Sequence, residues 1–273
     1  MGKHIPTRPG VAHALVVLAV LSLLLSLSMT SVPMASAKTP VTPASAGGYD
    51  GITPAGYLTT VTAEVVIPTV TCQPNLPQGQ DVQIGVPLSG EVPRSASVLL
   101  PLTVVLFVDI YCPQGSSTPQ HSAYLYLVLH GTLLFEHQLP LKFGAGDSMA
   151  FTLTINRATD EVSVSLKDQS SGVGAGYSKL VPGASYLNEL GWEVGSCEEP
   201  TCHSITTNQL ALAKFSTITF TKATFTTTGS PLPISKLSSL EQLILVDSNG
   251  KSMAKPSPLI TGRSFEVTFV AST

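Results

Sequence analysis

One short loop concentrates the residue types that bind transition metals. Cys197, Cys202 and His203 lie close together in the sequence, and Glu198 and Glu199 fall between the two cysteines. Thiolate, imidazole and carboxylate groups are the zinc ligands of proteins, but structural zinc sites use more closely spaced cysteine pairs and a second ligand pair elsewhere. We therefore favour a disulfide over a metal at this loop, and we predict neither a metal site nor a cofactor.

The common signatures of hydrolytic and phosphate chemistry are missing or misplaced. The chain has no Gly-x-Ser-x-Gly turn and no His-Glu-x-x-His motif. The glycines of residues 172–176 follow a predicted strand and precede no predicted helix, so they lack the helix N-terminus that a phosphate loop requires. A net charge of -3 offers no basic surface to a nucleic-acid backbone, and we predict no nucleic-acid partner.

The N-terminus has the three parts of a secretory signal peptide. Lys3 and Arg8 supply a basic region, an apolar run covers residues 11–27, and residues 34–37 (Met-Ala-Ser-Ala) form a small-residue cleavage pattern. We predict a signal peptide over residues 1–37, cleaved after Ala37, and a mature chain that is secreted or lies on the extracellular face of the membrane. The competing interpretation is an uncleaved anchor, because the run approaches the roughly 18 residues that span a bilayer. A membrane is a partner only in that case.

The chain contains four cysteines, which in an exported protein favour two disulfide bonds. Cys197 and Cys202 are close enough in sequence to close one loop, which leaves Cys72 to pair with Cys112. Four cysteines allow three pairings, and the sequence does not decide among them.

Beyond residue 56 the chain alternates apolar and polar residues with the period of two that is typical of β-strands. Residues 38–56, rich in Pro, Thr, Ala, Ser and Gly, predict a flexible lead-in. We expect the last two runs to pair as a hairpin around the turn at 247–250, and we predict one antiparallel β-sandwich or jelly roll over residues 57–273. The alternating or β-rich runs are 57–66, 98–111, 123–129, 151–155, 162–166, 215–225, 243–246 and 265–270.

Several of these segments follow one another in a familiar order. A threonine-rich strand ends in Pro at 61–68, a loosely matching Gln-Ile-Gly-Val-Pro segment follows at 83–87, and a Val-Asp strand runs into a cysteine at 107–112. A Trp-containing strand then occupies 190–194, and a Phe/Thr strand occupies 215–221. This order resembles the eqolisins, secreted acid-active glutamic peptidases with a lectin-like (concanavalin A-like) β-sandwich fold. The resemblance covers nearly all of the mature chain.

The departures from the family pattern fall where its chemistry is expected. The resemblance implies a Glu that acts as general base on water and a Gln that orients this water and stabilises the oxyanion. The matching strands place Val105 at the Gln position and Gly191 at the Glu position. Residues two apart on a strand share a face, so Glu189 and Glu193 flank Gly191 and are the candidate catalytic carboxylates. A register shift or bulge would bring either of them into the cleft.

Three functions follow from this pattern. We favour an eqolisin-like binding or surface module that has lost the Gln/Glu pair. The first alternative is a divergent acid-active glutamic endopeptidase that uses Glu189 or Glu193 with an amide such as Gln83, and the second is a lectin-like glycan binder. We expect a monomer that holds a polypeptide or a glycan in a surface groove. The predicted groove residues are Gln83, Asp109, Tyr124, Tyr126 and Trp192.

Overall fold

The computed structural model describes residues 39, 41–44, 46–53, 58–76, 79–95, 98–196, 211–247 and 249–270. The predicted signal peptide and the loop of Cys197 and Cys202 lie outside these residues. The described part consists of β-strands and two single-turn 3-10 helices, Ala184–Tyr186 and Ile234–Lys236. The strands are β1 (Val41–Ala44), β2 (Ala46–Ile52), β3 (Thr60–Val66), β4 (Val70–Thr71), β5 (Gln80–Ser95), β6 (Val98–Cys112), β7 (Gln120–Leu129), β8 (Thr132–Gln138), β9 (Ser148–Asn156), β10 (Glu161–Asp168), β11 (Gly174–Leu180), β12 (Glu189–Gly195), β13 (Ala211–Leu212), β14 (Lys214–Phe215), β15 (Ile218–Thr226), β16 (Leu232–Pro233), β17 (Ser238–Val246), β18 (Ser252–Pro256) and β19 (Phe265–Phe269).

The main strands form two layers that share one core. The first layer has the order β1–β17–β2–β12–β5–β6–β7–β8, and the second has the order β15–β3–β9–β10–β11. The ladder β17–β18–β19–β15 joins the two layers along one side. These pairings are antiparallel except for β1 with β17. The predicted all-β sandwich is therefore confirmed.

Alternation along each strand sends one face into the core and the other outward. Strand β3 buries Val61, Ala63 and Val65, while the intervening residues keep some contact with solvent. Trp192 on β12 is completely buried between the layers, and its indole N–H donates a 3.1 Å hydrogen bond to the carbonyl oxygen of Thr62. The apolar residues of each alternating run thus form the core. In the first layer, the alternate residues point away from the core and line an outer surface.

The predicted lead-in is wrong for the segment Ala46–Ile52. This segment is β2, which lies inside the first layer between β12 and β17. Its sequence, Ala-Gly-Gly-Tyr-Asp-Gly-Ile, shows no alternating pattern because glycine takes the place of apolar side chains. A Cβ atom at Gly48 would overlap the carbonyl oxygen of Trp192, so close approach of the two strands requires glycine here.

Two further strand predictions are corrected, and one long strand was missed. Strand β17 forms its hairpin with β18, and the C-terminal strand β19 pairs with β18 and β15 instead. The run at 215–225 is divided between β14 and β15. The long strand β5 was not predicted because Pro87 and Pro93 interrupt its pattern, although it pairs with β6 along nearly its whole length.

The predicted pairing of Cys72 with Cys112 is confirmed. The two cysteines form a disulfide with a Cα–Cα distance of 5.4 Å, which ties the segment after β4 to the end of β6. Among the residues described, no helix has the length and apolarity needed to cross a membrane.

Candidate functional site

The outer face of the first layer contains a cavity of about 370 Å³. Strands β2, β12, β5, β6 and β7 all contribute to its walls. On β12, β5 and β6 the core-facing residues are even-numbered, so the cavity receives mainly the odd-numbered ones. The residues that line it are Ala46, Asp50, Gln83, Gly85, Pro87, Ser89, Thr103, Val105, Phe107, Tyr126, Glu189, Leu190, Gly191, Glu193, Gly195 and Ser196.

One row of residues crosses the centre of the cavity from strand to strand. Asp50 pairs with Gly191, and the space above Gly191 is closed on one side by the ring of Pro87. Pro87 pairs with Val105, which in turn pairs with Tyr126. The two positions that the resemblance assigns to the Gln and the Glu, Val105 and Gly191, therefore lie in the same row of the same cavity.

The carboxyl group of Glu193 occupies the space that a side chain at Gly191 would need. A Cβ atom built on Gly191 would lie 2.6 Å from Oε1 of Glu193 and 3.2 Å from its Cδ. No bulge produces this arrangement, because β12 pairs with β2 in continuous register from Glu189 to Gly195. The register shift that the sequence suggested is thus unnecessary: the side chain of Glu193 reaches back along its own strand.

Burial and repulsion from neighbouring acids raise the pKa values of two cavity carboxyls, Glu193 and Asp50. Burial, followed by the charges of Asp50 and Glu189, raises the pKa of Glu193 to about 8. Burial and the charge of Glu189 raise the pKa of Asp50 to about 7, although the N–H of Gly51 donates a 2.7 Å hydrogen bond that favours the ionised form. Asp50 and Glu193 are therefore largely neutral in acid and gain negative charge between about pH 7 and pH 8.

Aromatic side chains form the wall opposite these carboxyls. The ring of Phe107 meets that of Tyr126 edge to face, with centroids 4.6 Å apart, and stacks on Tyr124 at 5.7 Å. Tyr126 is only 3% exposed, and burial, reinforced by neighbouring acids, raises the pKa of its phenol, which therefore stays protonated. The cavity thus combines an acidic side with an aromatic and aliphatic side.

Four of the predicted site residues line the cavity: Gln83, Tyr126, Glu189 and Glu193. The prediction for Trp192 is corrected, because its side chain points from the opposite face of β12 into the core.

The other two predicted residues lie beside the cavity. Tyr124 packs against Phe107 and Tyr126, and Asp109 pairs with Gln83 across β5 and β6. Oδ1 of Asp109 is buried and has no hydrogen-bond partner among the described atoms, and burial raises the pKa of this carboxyl to about 7.

Sequence reasoning missed one cavity carboxyl, Asp50. It lies in the segment interpreted as a flexible lead-in, and no local pattern distinguishes it from a turn residue. Only its pairing with Gly191 brings it into the cavity.

Within the described ranges, no group of three or more His, Cys, Asp or Glu side chains has an arrangement suited to a metal ion. The cysteine and histidine loop considered for zinc lies outside those ranges.

Comparison with known proteins defines the class to which this sandwich and its cavity belong. The sequence profile described as Peptidase A4 family matches residues 44–268. Similar solved structures include scytalido-glutamic peptidase with a transition state analog inhibitor, at 15% identity and a TM-score of 0.61, and with a peptide based transition state analog, at 14% and 0.60. Another is SCP-B, a member of the eqolisin family in a complex with the tripeptide Ala-Ile-His, at 14% identity and a TM-score of 0.58. Each alignment covers 83% of this chain and 98% of the other chain.

No functionally curated protein matches the sequence. The profile match nevertheless extends over most of the chain, and this protein belongs to the peptidase A4 family, the eqolisins. The predicted resemblance is confirmed. The match begins at residue 44 and so includes β2, the strand that the sequence pattern did not reveal.

Proposed function

We propose that this protein is a peptide-binding member of the eqolisin family that lacks the family's catalytic Gln/Glu pair. The observation that carries the proposal is the central row of the cavity, in which Val105 and Gly191 flank Pro87. The cavity has a volume of about 370 Å³, but neither of these two residues has a polar side chain.

The loss of both groups would remove most of the rate enhancement. An oxyanion donor contributes about 10²- to 10³-fold in rate, and a positioned general base contributes about 10²- to 10⁴-fold. Val105 has no amide to stabilise an oxyanion. The carboxyl group nearest to Gly191 is that of Glu193, whose pKa of about 8 keeps it protonated, and therefore unable to accept a proton, at pH 2 to 5.

A polypeptide is the ligand class that fits the cavity best. The structures of scytalido-glutamic peptidase and SCP-B contain a peptide-based analog and a tripeptide, and we extend this ligand class to the present chain. A glycan is less well supported. Trp192 is in the core, and the ring of Tyr126 packs edge to face against Phe107, so neither aromatic side chain offers an open platform for a sugar ring.

We further propose that the chain acts outside the cytoplasm as a monomer after cleavage following Ala37. The disulfide between Cys72 and Cys112 supports this location, because such bonds persist in oxidising compartments.

The decisive experiment measures fragment release from a denatured protein substrate by the purified mature chain, from pH 2 to pH 8. We expect no release. The same assay is applied to a gain-of-function variant that carries Val105→Gln, Gly191→Glu and Glu193→Ala. The third substitution is included because the carboxyl of Glu193 would clash with a side chain at position 191. Release by the unmodified chain that is lost in Glu193→Gln would overturn the proposal.

A second candidate function rests on the position of Glu193. Since its carboxyl lies over Gly191, it is a candidate for the general base of a divergent peptidase, with Gln83 in the same cavity as the amide partner. This function requires cleavage that disappears both in a Glu189→Gln, Glu193→Gln double variant and in Gln83→Ala. The exposed Glu91 lies on the same strand as Gln83, and Glu91→Gln is the matched control.

A further inference from the structure

We infer that the cavity selects a peptide segment with a basic side chain, whose ammonium or guanidinium group lies among the carboxyls of Asp50, Glu189 and Glu193. This inference rests on the proposed peptide-binding function and specifies its ligand.

Three carboxyl groups lie around Gly191 on the acidic side of the cavity. Glu189 and Glu193 precede and follow Gly191 by two residues and share its face of β12, while Asp50 pairs with Gly191 from β2. Gly191 has no side chain, and the carboxyl of Glu193 lies over it, with Oε1 2.6 Å from the point where a Cβ atom would be. This side of the cavity therefore presents a row of acidic groups to a ligand.

The cavity lining supplies no positive charge to these carboxyls. The residues lining the cavity, all of them described, include no Lys, Arg or His. Glu193 has no hydrogen bond or ion pair with any described residue, and the groups that influence its ionisation are two further acids, Asp50 and Glu189. These partly buried carboxylates repel one another and have no basic group in the cavity lining, so a cation from the ligand would supply a favourable interaction.

The remainder of the cavity suits the methylene stem of a basic side chain. Pro87, Val105 and Phe107 form an apolar wall, and the rings of Phe107 and Tyr126 add aromatic surface beside it. Long basic side chains pack their stems on apolar surface while the charged end meets acids or aromatic faces. The volume of about 370 Å³ is in the range of small-ligand pockets, which favours an organic cation over a bare ion.

The preference for a cation depends on pH in a defined direction. The charges of Asp50 on β2 and of Glu189 on the same strand act on Glu193, and Tyr126 lines the same cavity from β7. Beyond them, Glu241 on β17 adds negative charge near Asp50 and accepts a 2.8 Å hydrogen bond from the hydroxyl of Thr42 on β1. The ionisable groups in this set are all acids. Binding of a cation therefore favours loss of protons, and affinity rises as pH increases from about 6 to about 8.

The test compares peptides that differ only in the charge at one position. Isothermal titration calorimetry measures binding of acetyl-Ala-Ala-Lys-Ala-Ala-amide, its Arg counterpart and its norleucine counterpart to the mature chain near pH 5 and pH 8.5. We expect the Lys and Arg peptides to bind about ten-fold or more tightly than the norleucine peptide at the higher pH, and this ratio to shrink in acid. In Glu193→Gln and in Asp50→Asn the preference should fall several-fold, whereas the control Glu91→Gln should retain it.

Each other outcome contradicts a specific part of the argument. Equal affinity for the Lys and norleucine peptides overturns the charge preference and leaves peptide binding intact. Failure of the unmodified chain to bind any of the three peptides overturns both proposals. A preference that persists undiminished in Glu193→Gln and Asp50→Asn places the basic group elsewhere. Fluorescence of the buried Trp192 verifies that each variant is folded, and two conservative substitutions protect the test against failure of one to fold.

Discussion

Replacement of Glu193 by Gln should stabilise the fold above neutral pH and leave its stability unchanged in acid. Below the ordinary pKa of 4.5 the carboxyl is protonated in both the folded and the unfolded chain, so its burial costs no ionisation energy. Between pH 4.5 and about 8 the unfolded chain releases this proton while the folded chain keeps it. The free energy of unfolding of the wild-type chain therefore falls as pH rises through this interval, and levels off above it.

The size of this effect follows from the pKa of the buried group. A tenfold change in an ionisation constant is worth about 1.36 kcal/mol, so a rise from 4.5 to about 8 corresponds to an upper limit of about 5 kcal/mol. Part of this rise comes from the charges of Asp50 and Glu189, and the repulsion between those two groups remains in the variant. We therefore expect Glu193→Gln to increase the unfolding free energy by about 1–3 kcal/mol near pH 8 and by about zero near pH 4.

Urea unfolding monitored by tryptophan fluorescence measures this difference directly. The chain has one tryptophan, Trp192, which is completely buried behind the strand that carries Glu193. The control Glu91→Gln removes an exposed carboxyl from β5 and should show no pH-dependent change. A Glu193→Gln variant that is less stable than wild type near pH 8, or whose stability difference does not vary with pH, would refute the proposed ionisation of the cavity.

Three further perturbations test other parts of the structure. Replacement of both Cys72 and Cys112 by Ala should lower the unfolding free energy by about 2–4 kcal/mol in urea titrations, because the bond closes a loop over a sequence separation of 40; a change below 1 kcal/mol would contradict this. The carboxylate of Asp160 accepts hydrogen bonds from the backbone N–H groups of Gly183 at 3.0 Å and Ser185 at 2.9 Å, which hold its pKa below the ordinary value. Asp160→Ala should therefore cost about 1 kcal/mol at pH 7 and less near pH 2, as measured by thermal unfolding, since this stabilisation is lost when the acid is protonated; a loss equal at both pH values would exclude the charge-assisted bonds. Gly191→Ala should destabilise the wild-type chain but not a Glu193→Ala background, and a double-mutant cycle should give a coupling of about 1 kcal/mol; additive effects would show that the carboxyl does not occupy this space.

The sequence was sufficient to place residues of one regular strand relative to one another. Glu189 and Glu193 were predicted to flank Gly191 on one face because the period of two is a local property of β12, and the structure places both in the cavity. Trp192 was misplaced because assignment to a groove requires knowledge of which face of the strand is inward. The inward face of β12 is the face against which the second layer packs. The hydrogen bond from Trp192 to Thr62 on β3 shows that Trp192 lies on this face.

The sequence by itself determined the properties that arise from neighbouring residues. Alternation of apolar and polar side chains was sufficient to establish an all-β chain, and the order of its segments was sufficient for the family. Only the tertiary structure determined which residues line the cavity. Asp50 and Glu193 are distant in sequence and meet only because β2 pairs with β12, and the glycines that permit this close approach erase the alternating pattern that would have revealed β2. The raised pKa values have the same origin, since desolvation and repulsion among carboxyls depend on distances that only packing of the strands can set.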